Sequence, residues 1–255
     1  MFLCSAVLGA LAMASLSMAQ CSRDKLLLAS DTYIAAQTSG KQDDLSKLFV
    51  ASGFKYRQNN KSPDIKTGIL SKALKIDHNR TTFDLTQCVT FTELISTAGP
   101  YVIGTQIRHT ADGESVSLVD TIVATTGDWQ FNAATTLKYI STEDWGTLKD
   151  SDRSSRDVLQ AAADAYLDMW SDSKAIDKVP WGTPCTRTEG SMHITPSCKA
   201  GAPNGGGSKN TDRRYVIDET VGSCDVLVAF GGSMADSHEF RLVSGKLVLV
   251  HTITV

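Results

Sequence analysis

Three side chains toward the C-terminal end could move a proton or polarise a carbonyl: His238, Arg241 and His251. Histidine titrates closest to neutrality, and arginine presents a fixed fork of N–H donors. His238 precedes Glu239 in a run that reads as a strand, so these two side chains are expected on opposite faces. With these candidate catalytic groups go five candidate substrate-binding residues. Tyr56 and Asn60 follow a short predicted helix, Arg108 lies in a predicted strand, and Trp129 and Trp181 offer flat apolar faces.

Other chemistries lack the residues they need. A serine nucleophile elbow requires Gly-x-Ser-x-Gly, and neither Val221-Gly222-Ser223-Cys224 nor Phe230-Gly231-Gly232-Ser233 has the second glycine at that spacing. There is no Cys-x-x-Cys pair and no cysteine at zinc-like spacing from a histidine, so no metal site is expected. The Gly-rich stretch Gly201–Ser208 has no strand before it and no Lys-Ser/Thr after it, so it reads as a surface loop and not a phosphate cradle. No cofactor fingerprint is present, and chemistry without a cofactor is expected: proton transfer, hydrogen bonding, and the holding of reactants in an apolar pocket.

The composition agrees with that. With 28 acidic against 25 basic residues the chain has no polyelectrolyte footprint, which argues against nucleic acid as a partner. Residues 1–19 contain no charged side chain and end in Ser17-Met18-Ala19, a small-x-small pattern that predicts a secretory signal peptide. No later stretch is apolar enough to span a membrane, so the mature chain is expected in the secretory pathway, without a membrane span. Asn79-Arg80-Thr81 and Asn60-Lys61-Ser62 are glycosylation sequons, the second followed by Pro63. Loss of the signal leaves five cysteines. Cys185 and Cys198 suit a loop staple, Cys21 would tie to Cys88, and Cys224 is left over.

The chain also repeats. Ser22–Tyr33 and Ser155–Tyr166 agree at seven of twelve positions at an offset of 133, and Leu118–Ile122 matches Leu249–Ile253 at an offset of 131, with His251 in place of Asp120. Matching starts and ends indicate duplication of a whole unit. The division expected is a signal peptide over 1–19, a first domain over 20–127, an aromatic connecting segment over 128–154 and a second domain over 155–255. Each copy should open with a helix: Leu26, Leu27, Ala29, Tyr33 and Ala36 recur at helical spacing in the first, and Leu159, Ala162, Ala163, Tyr166 and Trp170 in the second. A short helix over Asp43–Phe49 follows in the first copy. Strands are predicted at 81–84, 89–96, 101–109 and 115–125, then at 213–217, 225–230, 238–243 and 247–255. The connecting segment, with Trp129, Phe131, Tyr139 and Trp145, should pack across both domains.

Helices followed by a curved antiparallel sheet give an α+β class that resembles the NTF2-like (SnoaL-like) cone fold, here in tandem. Several segments are also similar to a family of secreted fungal proteins with two such domains: Cys21–Asp24, Thr86–Glu93, Pro100–Arg108, Gly127–Trp129, Val179–Cys185, Arg213–Thr220 and Asp236–Arg241. That family includes hetero-Diels–Alderases of tropolone-sesquiterpenoid biosynthesis. The resemblance implies a cofactor-free [4+2] cycloaddition of a quinone-methide-type heterodiene with a humulene-type alkene, and small, apolar, terpenoid and polyketide-derived substrates. The alternatives are a secreted protein that binds a small ligand without catalysis, and an isomerase or dehydratase acting through His238 or His251.

Overall fold

A computed structural model describes residues 21–255, so the expected signal peptide and Cys4 lie outside the described residues. Helix α1 (Arg23–Ser39) begins where Ser22 Oγ accepts a hydrogen bond from the Lys25 amide and Asp24 faces the helix dipole. It stops at Gly40, at φ 69°, where a Cβ would lie 2.6 Å from the Ala73 amide nitrogen. Helix α2 (Asp43–Ser46) is shorter than its pattern suggested, because Phe49 turns away to bridge Val116. Strands β1 (Lys55–Gln58), β2 (His78–Asp84), β3 (Val89–Ser96), β4 (Tyr101–His109) and β5 (Val116–Thr125) form a sheet in the order β1-β5-β4-β3-β2.

The second half follows the same plan. After α3 (Ala133–Ile140) come α4 (Arg156–Asp168), β6 (Trp181–Glu189), β7 (Met192–Ile194), β8 (Thr211–Asp218), β9 (Ser223–Phe230), β10 (Met234–Val243) and β11 (Lys246–Thr254), with sheet order β7-β6-β11-β10-β9-β8. The class is α+β, with two sheets and few helices, and one expectation needs correction. Neither sheet is purely antiparallel: β1 runs parallel to β5, and β6 parallel to β11. In each half the strand nearest the helices joins the far edge of the meander beside its last strand, and those two strands run the same way. β1, β6 and β7 were not predicted. Trp181-Gly-Thr-Pro-Cys carries a Gly and a Pro and no alternation, so it reads as a loop, yet Cys185 lies within β6.

Apolar side chains pack in three layers. Leu94, Ile103 and Val119 meet Tyr33 and Ala36 of α1; Val226, Phe240 and Val250 meet Leu159 and Tyr166 of α4; and Phe91, Ile95, Leu227 and Ile253 pack between the sheets. The connecting segment contributes Phe131, Leu137 and Ile140 to the middle layer.

Cys21–Cys88 and Cys185–Cys198 are bonded, as expected, which fits an oxidising compartment. Cys224 is the free cysteine among the described residues, and burial pushes its thiol well above its ordinary pKa. No helix among the described residues is long and apolar enough to cross a membrane.

The two sequons differ in access. Asn79 is exposed on β2, whereas Asn60 donates from Nδ2 to Val228 O at 2.9 Å and accepts from Arg214 Nη2 at 2.7 Å. A glycan on Asn60 would break that link between the halves. Peptide mapping of the secreted protein is expected to find a glycan on Asn79 and a bare Asn60; a glycosylated Asn60 would contradict this arrangement.

Candidate active site

A cavity of about 370 Å³ opens within the second unit, between the helix-facing side of its sheet and the loop after β7. Its walls are mostly apolar: Trp170 just beyond α4, Phe230 at the end of β9, Met192 on β7 and Pro203 in the Gly-rich loop. Trp129, 46% exposed, and Met234, 43% exposed, stand at its mouth. A volume near the lower end of the usual range for ligand sites holds one small molecule comfortably.

His238 on β10 lies in the cavity wall with only 2% of its surface exposed. Its ring stacks on Phe230 (centroids 5.7 Å apart, 7° between planes) and meets Trp170 edge-on at 5.8 Å. Nδ1 is hydrogen-bonded to Asp236 Oδ1, two residues back on the same face of the strand, and Thr254 donates to the other Asp236 oxygen at 2.6 Å. A carboxylate facing Nδ1 holds the proton there, so the Nε2 lone pair is available to the cavity. Nε2 hydrogen-bonds to nothing among the described residues. A histidine oriented by a carboxylate and open on its other nitrogen is the arrangement that general-base catalysis requires.

A second polar group lies across the cavity on β6. Arg187 is 2% exposed; Nη1 donates to Tyr166 Oη at 3.3 Å and sits 3.5 Å from Glu189, and Nη2 donates to Ala200 O at 2.8 Å. Tyr166 in turn donates to Glu189 Oε1 at 2.8 Å. Burial and the neighbouring Glu189 carboxylate both raise the Tyr166 phenol well above its ordinary pKa, so Tyr166 stays protonated.

The first unit shows why only one half carries this site. In the sheet registers His238 pairs with Thr252, as Thr105 pairs with Thr121 in the first unit. Arg187 pairs with Val250, as Tyr56 pairs with Val119. Thr105 has no acid–base capacity; its hydroxyl is within 2.7 Å of both the Tyr33 and Thr121 hydroxyls. Ile69 and Leu70 fill the space beneath, and Gln37 Nε2 ties that segment down by donating to Ile69 O and Lys72 O, both at 3.0 Å.

The other residues read from the sequence scatter. Tyr56 is buried in the first unit and donates to Gln58 at 2.8 Å. Asn60 and Arg108 join the two halves, Arg108 donating to Tyr215 O at 3.2 Å. Trp181 donates from Nε1 to Ile176 O and packs edge-on against Tyr166. Of the residues picked from sequence, the cavity gathers His238 and Trp129. Asp236, Arg187, Glu189 and Tyr166 were missed. Asp-x-His within one strand is a legible signal for Asp236, but the predicted strand began at His238 and left Asp236 outside it, whereas β10 begins at Met234; Arg187 and Glu189 lie in the unpredicted β6.

His251 and Arg241 are on the opposite face of their sheet, against the first unit. There Arg80 donates to Glu239 (2.8 and 2.5 Å) and Glu93 (3.0 Å), and His251 lies between Glu93 (3.1 Å) and Glu143 (2.6 Å). Arg241 donates to Gly146 O at 2.9 Å. Trp145 covers the network, 3.8 Å from the Arg80 guanidinium to the ring centroid. Glu93, Glu239 and His251 have ligand atoms within 4.8 Å of one another, the geometry of a metal site, but the Arg80 guanidinium already engages both carboxylates.

Burial opposes charge on His251, yet the two flanking carboxylates prevail and raise its pKa from 6.5 to about 10. A pKa raised on folding adds stability that is complete below pH 6.5 and lost as pH climbs through 10. Denaturant titrations between pH 6.5 and 10 are expected to show falling stability in the wild type and a flatter dependence in His251→Asn; equal slopes would contradict the assignment.

The described residues form a two-unit α+β protein whose second unit holds the apolar cavity walled in part by His238 and Arg187. A family described as a domain of unknown function (DUF8021) matches residues 152–254, the unit that holds the cavity. No curated protein matches. Among solved structures, an NTF2-like protein from Bacteroides fragilis aligns over 87% of this chain and 95% of its own, at 10% identity and a TM-score of 0.22. So distant a likeness adds nothing to the topology already described.

Proposed function

We propose that the second unit, in an NTF2-like arrangement, is an enzyme that moves a proton on a small, largely apolar ligand, with His238 as the base and Asp236 as the group that orients it. The observation that carries this reading is the His238 ring, buried among Phe230 and Trp170, held by Asp236 at one nitrogen and free at the other. Removing a proton from carbon and returning it elsewhere is an isomerisation; removing it with departure of a neighbouring hydroxyl, as water, is a dehydration. Both need a positioned group that takes a proton from carbon and then gives it up, to another carbon in the isomerisation and to the departing hydroxyl in the dehydration, in a site that excludes water.

Release of deuterium from the acetyl group of fully deuterated 2-acetonaphthone tests the reading. The wild type is expected to release it faster than buffer does; release no faster than His238→Ala would overturn it.

The hetero-Diels–Alder reading is the second one, favoured by the apolar mouth at Trp129 and Met234, which leaves room for a hydrocarbon partner above a ligand held by His238. In that case dehydration at His238 generates the heterodiene, and an alkene captures it in place. Incubation with a humulene-type alkene and a quinone-methide precursor is expected to change the adduct's stereochemistry from that of the enzyme-free control. An unchanged product ratio would remove this reading and leave the first standing.

A further inference from the structure

The charged groups around the cavity are paired. Arg187 meets Glu189 at 3.5 Å and Tyr166 at 3.3 Å, and Asp236 is held by His238 and Thr254. A carboxylate ligand would enter beside two acidic side chains with no uncommitted cation to receive it, an unfavourable position in a site of low dielectric. The pairing is nonetheless incomplete in one respect. The Arg187 guanidinium has five N–H bonds, and its Nε–H finds no acceptor although the side chain is 98% buried in the cavity wall. A buried donor without a partner destabilises the empty protein; Nε is closed off from the cavity there, and a small turn of the guanidinium lets a neutral ligand oxygen satisfy it without adding charge.

Extending the proton-transfer reading, on which it rests, we propose that the cavity selects an uncharged apolar molecule bearing a carbonyl oxygen, a ketone or enone, and discriminates against carboxylic acids. The carbonyl oxygen accepts from Arg187, the hydrocarbon body lies against Phe230, Trp170 and Met192, and the carbon next to the carbonyl faces His238. Arg187 then supplies the donor toward which negative charge moves as His238 takes the proton. The Cα–H bond breaks to Nε2, its electron pair forms the enolate C=C bond, and the former carbonyl π pair resides on oxygen. The hydrogen taken up by His238 exchanges with water, and His238 then reprotonates the carbon, so the acetyl deuterium passes to solvent and no oxidant is involved.

Three naphthalenes of nearly one shape separate the possibilities by calorimetry on the wild-type protein: 2-acetonaphthone, 2-naphthoate and 2-ethylnaphthalene. The ketone is expected to bind about tenfold more tightly than the hydrocarbon, as one hydrogen bond to a charged donor allows, and the naphthoate more weakly than both. Arg187→Gln is expected to bring the ketone close to the hydrocarbon while leaving hydrocarbon affinity within about twofold. If that variant melts below the assay temperature, the wild-type ranking decides alone. Naphthoate binding as tightly as the ketone, equal affinity for ketone and hydrocarbon, or no binding by any of the three would overturn the proposal. Ketone bound in the expected rank but retaining its acetyl deuterium would instead overturn the proton-transfer reading and leave the ligand class intact.

Discussion

His238→Ala is expected to lower the enzyme-dependent release of deuterium by about 10²–10⁴-fold, the usual contribution of a positioned general base. Ketone affinity should change far less, because the stacking surfaces of Phe230 and Trp170 and the Arg187 donor remain. Asp236→Asn should reduce the rate too, with the histidine still present. An amide in place of the carboxylate can donate to Nδ1, which would drive the imidazole proton to Nε2 and close the atom meant to receive the substrate proton. Rate and binding must therefore be read together: a loss of both in His238→Ala with an intact fold would mean that the histidine shapes the cavity and does no chemistry. Thr254→Val, which removes the 2.6 Å bond to Asp236, provides a milder control.

The largest effect on stability is expected at Arg80. Its guanidinium holds apart two carboxylates, Glu93 and Glu239, each almost wholly buried between the sheets. Arg80→Ala leaves Glu239 without a cationic partner and Glu93 with His251 alone, a loss of about 3–5 kcal/mol. For a chain of this size that corresponds to a fall in melting temperature of roughly 10 °C or more. Replacing Glu93 and Glu239 by Gln in the Arg80→Met background should recover much of the loss, since the cost lies in the unpaired charge more than in the missing attraction. Lys47→Ala breaks an exposed ion pair at Asp44 and is expected to change little. If Arg80→Ala melts like the wild type, the network is not holding the halves together.

What the sequence disclosed follows from periodicity. The β3 and β4 bounds agreed with the prediction to the residue because Val89–Ser96 and Tyr101–His109 are β-rich runs closed by turn residues. The duplication is visible in the matching sheet orders and in α1 and α4. Strands β1 and β6 were hidden because the first is short, the second carries Gly and Pro, and each pairs with a strand far along the chain; β7 is a three-residue strand paired only with β6. That loss hid Arg187 and Glu189.

The polar face between the sheets was equally hidden. His251 and Arg241 are alternate residues on paired strands, and sequence alone assigns them no side of the sheet; the packing of the second unit on the first turns both away from the cavity. His238, one register step from His251, faces the other way. That one-residue difference decides which histidine is available for chemistry.

The most direct measurement is ¹⁵N NMR of histidine-labelled protein with and without 2-acetonaphthone, each ring being assigned by single substitution. The ring nitrogens of His238 are expected to shift on ligand addition, Nε2 most, while those of His251, enclosed by Glu93 and Glu143, stay in place. A shift at His251 with none at His238 would put the ligand on the wrong face of the sheet and contradict the account.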